Sequence, residues 1–248
     1  EFMLIANKKV AEVFNEIKTQ KHIYRVHDLP DKEKLKNLKY IVKSFGYNLD
    51  LTSSKGISKS LNKLLDQIKG KEEQNLIESL ALRSMSKAEY STINIGHYGL
   101  AFTNYTHFTS PIRRYPDVLV HRLLEQIQKK NFGKLDKNLQ KKAIYCSEQE
   151  MVAAKAERDS IKFMQIKFMQ DKIGETFSGI ISGVSDWGIY VEIDENKCEG
   201  MVYIKDIEDD KYYYSEQQQA ILGKKTNKKY TLGDKINIEV KKADLVKK

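Results

Sequence analysis

The sequence predicts an α+β protein in two parts, a mostly helical part over residues 1–172 and a small β-barrel over residues 173–248. In the first part, apolar residues recur at the three- and four-residue spacing of amphipathic helices. The period changes near Gly174. Beyond it, apolar and polar residues alternate in short runs that turn-forming residues separate, as they do in strands. Five short strands in about 75 residues favour a closed barrel.

The helical pattern is interrupted once by a stretch of different character. Helices are predicted over residues 2–20, 31–45, 57–69, 72–85, from Asp117 to Asn131-Phe132-Gly133, and over 136–171. Residues 22–30 are expected to connect the first two helices. Residues 86–109 mix glycines with aromatic residues such as Tyr98 and Phe108, so loops and short extended pieces are expected there.

Composition narrows the class of protein. The net charge is +9 and the hydrophobic fraction is 40%, which indicates a globular protein suited to polyanionic partners, although scattered lysines are also typical of a lysine-rich proteome. The two cysteines, Cys146 and Cys198, lie far apart and lack metal-ligand spacing, which argues against a disulfide framework or zinc site and favours the cytoplasm.

The chain carries no sign of membrane targeting. No run reaches the roughly 18 apolar residues of a membrane span, and no signal peptide is visible. The chain opens at Glu1, already within an amphipathic pattern and without an initiator methionine, so we expect a fragment of a longer protein.

The most informative stretch for chemistry is THFTSPIRRYPD, residues 106–117. Ser110 and Pro111 can begin a helix, since serine caps free N–H groups and proline suits the first helical position. A helix start offers unpaired donors to an anion, and the planar guanidinium fork matches phosphate oxygens. With Arg113 and Arg114 beside such a start, the pattern predicts a phosphate clamp.

Pro116 leaves the course of this helix open. Its missing N–H means that the helix either kinks at this position or restarts there. Both alternatives leave the arginines at an irregular place with spare donors. An equally weighted interpretation is a solvated arginine pair whose partner is Asp117.

Three runs of residues resemble the ribonuclease II/ribonuclease R family, and its ribonuclease R branch in particular. They are ALRSMSKAEYSTINIGHYGLAF, YTHFTSPIRRYPDVLVHRLL and AERDSIKFMQIKFM, in the expected order. The resemblance implies the C-terminal part of an RNB catalytic domain, from processive exoribonucleases that degrade single-stranded RNA from its 3′ end to nucleoside 5′-monophosphates.

The resemblance also implies roles for individual residues. Arg113 is expected to grip the phosphate near the scissile bond, and Arg114 is either a weaker RNA contact or a structural residue. Glu157 is expected near the 3′-terminal nucleotide as a catalytic residue, although the sequence around it alone favours a solvated charged turn.

The second part resembles an OB-fold RNA-binding domain of the S-one type, in GIISGVSDWGIYV followed by EGMVYIKDI. This resemblance implies that Trp187, Tyr190 and Tyr203 lie on a nucleic-acid face, and we place Lys205 with them. Packing in the barrel core is the alternative for Tyr190 and Tyr203. Tyr212-Tyr213-Tyr214 lies in an apparent insertion and is either a stacking patch or a loop anchor.

Members of this family use a divalent metal held by several aspartates, which activates water and stabilises charge on the leaving oxygen. The family places these aspartates before the segment present here, and Asp209-Asp210 is best interpreted as a solvated acidic turn. We therefore expect Mg²⁺ in the intact enzyme, no metal on this chain, and no nuclease activity from the chain alone.

Two other functions stay open at this point. One is a non-catalytic RNA-binding protein derived from such a nuclease, which the absence of the upstream aspartates would favour. The other is a basic scaffold that contacts the ribosome or the RNA-decay machinery through its barrel. For the exoribonuclease we expect a monomer whose partner is single-stranded RNA.

Overall fold

In the computed structural model, the described residues are 1–17, 21–71, 73–129, 137–216, 218 and 220–245. They form the helices α1 (Phe2–Glu16), α2 (Lys32–Ser44), α3 (Ser54–Ile68), α4 (Gln74–Ser84), α5 (Tyr115–Gln128) and α6 (Leu139–Gln170). The strands are β1 (Tyr24–His27), β2 (Ala88–Ser91), β3 (Thr176–Val184), β4 (Gly188–Ile193), β5 (Glu199–Tyr203), β6 (Tyr212–Ser215), β7 (Ala220–Gly223), β8 (Lys229–Tyr230) and β9 (Lys235–Glu239).

The chain divides into two compact units. The first comprises Glu1–Gln67 and Ser79–Lys155, and the second comprises Ile68–Glu78 and Ala156–Lys248. The change from helices to strands occurs where the sequence predicts it, since α6 ends at Gln170 and β3 begins at Thr176.

Helix α2 shows how a stripe of apolar residues specifies a helix. In α2, Asp31 caps the first turn by accepting from the N–H groups of Glu33 and Lys34, while Leu35, Leu38 and Val42 are buried at helical spacing. A core in the first unit joins α1, α5 and α6. Its buried members are Phe14, Ile23, Tyr90, Leu119, Val120, Leu123, Leu139 and Ala143.

A two-stranded antiparallel sheet brings distant segments of the first unit together. Strand β1 pairs with β2, and the register runs from Tyr24 opposite Ser91 to His27 opposite Ala88. Strand β1 was not predicted and lies within the expected connector of residues 22–30. Its four residues are too few to show the alternation of apolar and polar side chains that is typical of a strand. Residues 86–109 form β2, loops and a short 3-10 helix at Tyr98–Leu100, as expected.

The second unit does not form the predicted five-stranded closed barrel. Its strands form two antiparallel sheets, one of four strands in the order β5-β4-β3-β9 and one of three in the order β6-β7-β8. No strand pairing among the described residues joins the two sheets. Gly183 lies inside β3, where the pairing with β4 shifts register between Ile181 and Gly183.

The two sheets share one apolar core. Ile181, Ile189 and Val191 come from the four-stranded sheet, and Tyr212 and Ile221 come from the three-stranded sheet. Because side chains alternate along a strand, the residues between these positions lie on the outer faces. In the described part of the chain, no helix is long and apolar enough to cross a membrane.

Candidate functional site

Helix α5 begins at Tyr115, with Arg114 as its N-cap residue and Pro116 in the first turn. The alternative in which the helix restarts at Pro116 is therefore confirmed, and the expectation that Ser110 caps a helix is wrong. Residues 111–113 form a turn, and the N–H groups of Arg113 and Arg114 donate to the carbonyl of Ser110 at 3.3 and 3.1 Å.

A buried carboxylate fixes this turn to α5. Asp117 is fully buried, and its Oδ1 accepts from Nη2 of Arg114 and from the N–H of Ser110, both at 2.8 Å. The Nε of Arg114 and the Oδ2 of Asp117 are buried without a hydrogen-bond partner among the described residues. Arg114 therefore has a structural role, which is one of its two predicted alternatives. Its role in RNA binding stays a prediction.

Arg113 has the opposite environment. Its side chain is exposed and makes no hydrogen bond or ion pair with any residue that the structure describes. The preceding Ile112 is also fully exposed, at 102% of its reference area. The guanidinium is therefore held on a fixed turn with all its donors available to an anion.

Asn7 of α1 anchors the segment that leads into this turn. Its Oδ1 accepts from the N–H groups of Phe108 and Thr109 at 2.9 and 3.2 Å, and its Nδ2 donates to the hydroxyl of Tyr105 at 3.1 Å. Asn7 is buried, so these bonds satisfy its amide. Nothing in the spacing of α1 distinguishes Asn7 from a solvent-facing polar residue, and sequence reasoning missed it.

A second anchor lies behind the loop at His107. The His107 Nδ1 and the Tyr90 hydroxyl are 2.8 Å apart, and the guanidinium of Arg25 lies 4.6 Å from the centre of the Tyr90 ring. Arg25 also donates to both carboxylate oxygens of Glu150, at 2.6 and 2.9 Å. Burial lowers the pKa of His107 to about 3 and raises the pKa of Tyr90 to about 12, so both groups are neutral near pH 7.

His27 and His97 line an open pocket of about 510 Å³ together with Asn94, Tyr98 and Phe102. The Nδ1 of His27 accepts from the N–H of Gly99 at 3.0 Å, so its Nε2 carries the proton and donates to the carbonyl of Ser86 at 2.8 Å. Both ring nitrogens are satisfied, which indicates a structural role for His27. Burial lowers the pKa of His97 to about 4.

Glu157 lies in α6 and its side chain is exposed. It belongs to the second unit, whereas Arg113 belongs to the first. The exposure agrees with the solvated charged turn that the local sequence favours, and the catalytic role of Glu157 stays a prediction.

The three aromatic residues predicted for the nucleic-acid face of the second unit have exposed side chains, and their role in RNA binding stays a prediction. Trp187 is 69% exposed, Tyr203 is 43% exposed and Tyr190 is 37% exposed, so none of them is buried in the core. Gly188 lies opposite Tyr203 in the β4–β5 pair, and Tyr190 lies two residues further on the same face. The Nζ of Lys205 lies 5.3 Å from the centre of the Tyr203 ring, which places a cation beside these rings.

Asp209 and Asp210 are both used within the fold. Asp209 accepts from the Tyr212 hydroxyl at 2.8 Å and pairs with Lys228. The Oδ2 of Asp210 accepts from the N–H groups of Lys225 and Thr226 at 2.8 and 2.7 Å, which holds its pKa well below the usual range. Within the described ranges, no group of three or more His, Cys, Asp or Glu side chains is arranged to hold a metal ion.

The chain is similar to solved and curated proteins over nearly its whole length. It is 39% identical to ribonuclease R of Aquifex aeolicus over 96% of this chain and 34% of that protein. It is also 39% identical to ribonuclease R of Thermotoga maritima over 100% of this chain and 35% of that protein. The chain therefore spans about a third of the length of these relatives.

Solved structures show the same likeness in three dimensions. The structure of Mycoplasma genitalium RNase R in complex with ribose methylated single-stranded RNA superposes with a TM-score of 0.88. That match has 33% identity and covers 99% of this chain and 39% of the other. The same protein in complex with double-stranded RNA matches with a TM-score of 0.69 over 87% of this chain and 38% of the other.

Two family models match the sequence in succession. The RNB domain matches residues 1–130, and the S1 RNA binding domain matches residues 170–248. The first match includes the turn that presents Arg113, and the second includes the exposed face of Trp187, Tyr190 and Tyr203. Since the RNB model covers more than half of the 248 residues, the chain belongs to the RNB domain family, with an S1 RNA binding domain following it.

Proposed function

We propose that this chain is part of a processive ribonuclease R-type enzyme, which hydrolyses single-stranded RNA from its 3′ end to nucleoside 5′-monophosphates. The observation that carries the proposal is the exposed guanidinium of Arg113 on a turn fixed by Asp117, within the segment that matches the RNB domain. A positioned guanidinium stabilises the charge that develops on phosphate oxygens in the transition state. Arg113 is the residue proposed to do so at the scissile phosphate.

The remaining predicted residues are proposed to have the RNA contacts that the resemblance implies. Glu157 is proposed to act near the 3′-terminal nucleotide, for which the family resemblance is the support. Trp187, Tyr190 and Tyr203 are proposed to stack on bases of the upstream RNA, and Lys205 is proposed to contact its phosphates. Exposed rings beside a cation are what sequence-tolerant binding of single strands requires.

The chemistry proposed for the intact enzyme uses Mg²⁺, and the described residues of this chain do not fit such an ion. Asp210, the carboxylate with the most donors around it, is saturated by backbone N–H groups and by the hydroxyl of Thr226. We therefore propose that the metal ligands are carboxylates of the intact protein outside this chain. The enzyme is further proposed to act as a cytoplasmic monomer.

The test compares the intact protein with the 248-residue chain on single-stranded RNA carrying a 5′ label. With Mg²⁺, the intact protein should release nucleoside 5′-monophosphates and shorten the labelled strand progressively from the 3′ end. The chain alone should bind the same RNA without shortening it. Chelation of Mg²⁺ should stop cleavage by the intact protein and leave binding by the chain unchanged.

Two outcomes would contradict the proposal in different ways. If the intact protein binds RNA but never cleaves it, the non-catalytic RNA-binding function is correct. If the chain alone releases mononucleotides, the metal ligands lie within it and their assignment elsewhere is wrong.

A further inference from the structure

The insertion that contains Tyr212-Tyr213-Tyr214 divides into an inner and an outer set of residues. Tyr212 and Tyr214 pack into the core of the second unit, with Ile221 and Tyr230 from the neighbouring strands. Tyr213 lies between them in sequence and is 45% exposed. The three tyrosines therefore have different roles, since two anchor the sheet and one faces outward.

The strand register places specific residues beside Tyr213 on the outer face. Tyr213 pairs with Leu222 of β7, and Leu222 pairs in turn with Lys229 of β8. Lys224, two residues beyond Leu222, donates its backbone N–H to the carbonyl of Lys211 at 3.0 Å, so both lysines lie at the same end of the sheet.

These lysines carry positive charge that the described part of the protein leaves unused. Lys211, Lys224 and Lys229 have exposed side chains, and none of the three makes an ion pair or side-chain hydrogen bond there. Two neighbouring carboxylates are already engaged, since Asp209 pairs with Lys228 and Asp210 accepts from the loop backbone. The face thus combines one exposed ring with several free cations.

We propose that the outer face of the three-stranded sheet is a second single-stranded RNA contact, in which Tyr213 stacks on a base and Lys211, Lys224 and Lys229 neutralise phosphates. This inference rests on the proposed function, because it takes the substrate of that function as the ligand. Aromatic rings within a basic surface bind single strands with little dependence on base sequence. The Asp210 contacts hold the β7–β8 loop in place, so little ordering is needed on binding.

The proposed contact is separate from the face that carries Tyr190, which Trp187 is proposed to share. Ile189 and Val191 point from β4 into the core, so Tyr190 between them lies on the outer face of the four-stranded sheet. Tyr213 lies on the outer face of the other sheet, so the two surfaces are turned away from each other across the shared core. A short oligonucleotide therefore reaches one surface at a time, whereas a longer strand can pass around an edge and contact both.

The experiment measures RNA binding to the 248-residue chain by titration calorimetry without Mg²⁺. The smallest binding sites of OB folds cover about 4 nucleotides, so a hexanucleotide is long enough to fill one site only. The unaltered chain should bind two hexanucleotides. Tyr213→Ala and Trp187→Ala should each bind one. With a strand of about 20 nucleotides, Tyr213→Ala should weaken affinity by about 5- to 150-fold, the range for loss of one stacked base.

Controls separate stacking from folding and from charge. Tyr213→Phe keeps the ring and should keep both sites, and Tyr40→Ala removes an exposed tyrosine of α2 and should change nothing. If Tyr213→Ala fails to fold, Lys224→Ala and Lys229→Ala provide the test. Each should lower the slope of log affinity against log salt by about 0.7.

The possible failures are distinguishable. One hexanucleotide site that is lost in Trp187→Ala and intact in Tyr213→Ala, with unchanged salt slopes in the lysine variants, overturns the second contact and preserves the proposed function. Binding that neither Trp187→Ala nor Tyr213→Ala weakens overturns the assignment of RNA to the second unit altogether.

Discussion

Arg114 and Asp117 form a buried ion pair at 2.8 Å that holds the start of α5 to the turn before it. The neighbouring arginine points its charge into solvent, so two adjacent identical residues divide into one structural group and one available group. This division fixes the backbone from which Arg113 projects, so little backbone ordering is needed when its guanidinium binds an anion.

Asp117→Ala should destabilise the protein strongly. It leaves the guanidinium of Arg114 partly buried without its partner and removes the acceptor of the Ser110 N–H. Breaking a buried ion pair from one side typically costs about 3–5 kcal/mol. Urea denaturation of the 248-residue chain would measure the loss. Glu125→Ala, which removes an exposed partner of Lys129, is the control and should leave the denaturation midpoint unchanged.

Arg113→Ala in the intact protein should reduce turnover far more than RNA affinity. Affinity is spread over many phosphates and stacked bases, whereas one preorganised donor at the reacting phosphate is worth about 2.7–4 kcal/mol, or 100- to 1000-fold in rate. Single-turnover cleavage and filter binding would separate the two effects. Arg113→Lys should restore little, because an ammonium lacks the planar fork. Equal losses of rate and affinity would make Arg113 a uniform binding residue.

Trp187→Ala and Lys205→Ala should weaken RNA binding with different salt signatures. Loss of one stacked base costs about 1–3 kcal/mol and leaves the salt slope unchanged, because stacking releases no counterions. Loss of Lys205 should lower the slope by about 0.7. Titrations at several salt concentrations would measure both. A Trp187→Ala variant that is folded and binds normally would place the ring off the path of the RNA.

Gly188→Ala should disrupt the aromatic face, whereas Gly200→Ala on the neighbouring strand should not. A Cβ at Gly188 would lie 2.1 Å from the carbonyl oxygen of Val202, so β4 and β5 would have to separate. Gly200 has nothing within 4 Å of the same added atom. Overpacking of this kind costs about 1–3 kcal/mol. Thermal denaturation and RNA binding should both fall for the first variant, and equal behaviour of the two variants would contradict the close approach.

Stability should fall as the pH is lowered from about 7 to 5. His107 and His97 have pKa values of about 3 and about 4 in the folded chain and 6.5 without the fold. Between the folded and unfolded pKa values, these histidines bind more protons in the unfolded chain than in the folded chain. Their contribution to stability is therefore complete above pH 6.5 and is lost as the pH falls below it.

Urea midpoints at a series of pH values would check this dependence. His107→Gln removes one of the histidines whose pKa is lowered by burial and should flatten the profile between pH 7 and 5. An unaltered profile in that variant would mean that His107 is protonated alike in both states.

The sequence predicted the elements that rest on local patterns. Apolar periodicity located the helices, and the missing N–H group of Pro116 predicted either a kink or a restart, of which the structure has the restart. The exposure of Trp187 followed from the resemblance of its surroundings. The closed five-stranded barrel was wrong, since the described residues form seven strands in two sheets that no pairing joins. The additional strands come from short polar and tyrosine-rich segments such as β6 and β8.

The anchors of the site could not be predicted in the same way. Asn7 is 101 positions from Phe108 and Tyr90 is 17 positions from His107, so their contacts depend on the assembled fold. A polar residue buried by tertiary packing has the same local sequence as one in solvent. Tyr213 was undecided for the same reason, because only the register with Leu222 shows which way it faces.

The three hydrogen bonds of Asn7 also limit how portable the arginine turn is. A peptide of residues 105–128, or a version of the chain that begins after α1, would carry Arg113, Arg114 and Asp117 but lose the amide that fixes Tyr105, Phe108 and Thr109. Grafting residues 106–117 onto another protein would therefore transfer the charges of the turn without its geometry. Any transplant has to bring the first helix with it as a second, separate piece.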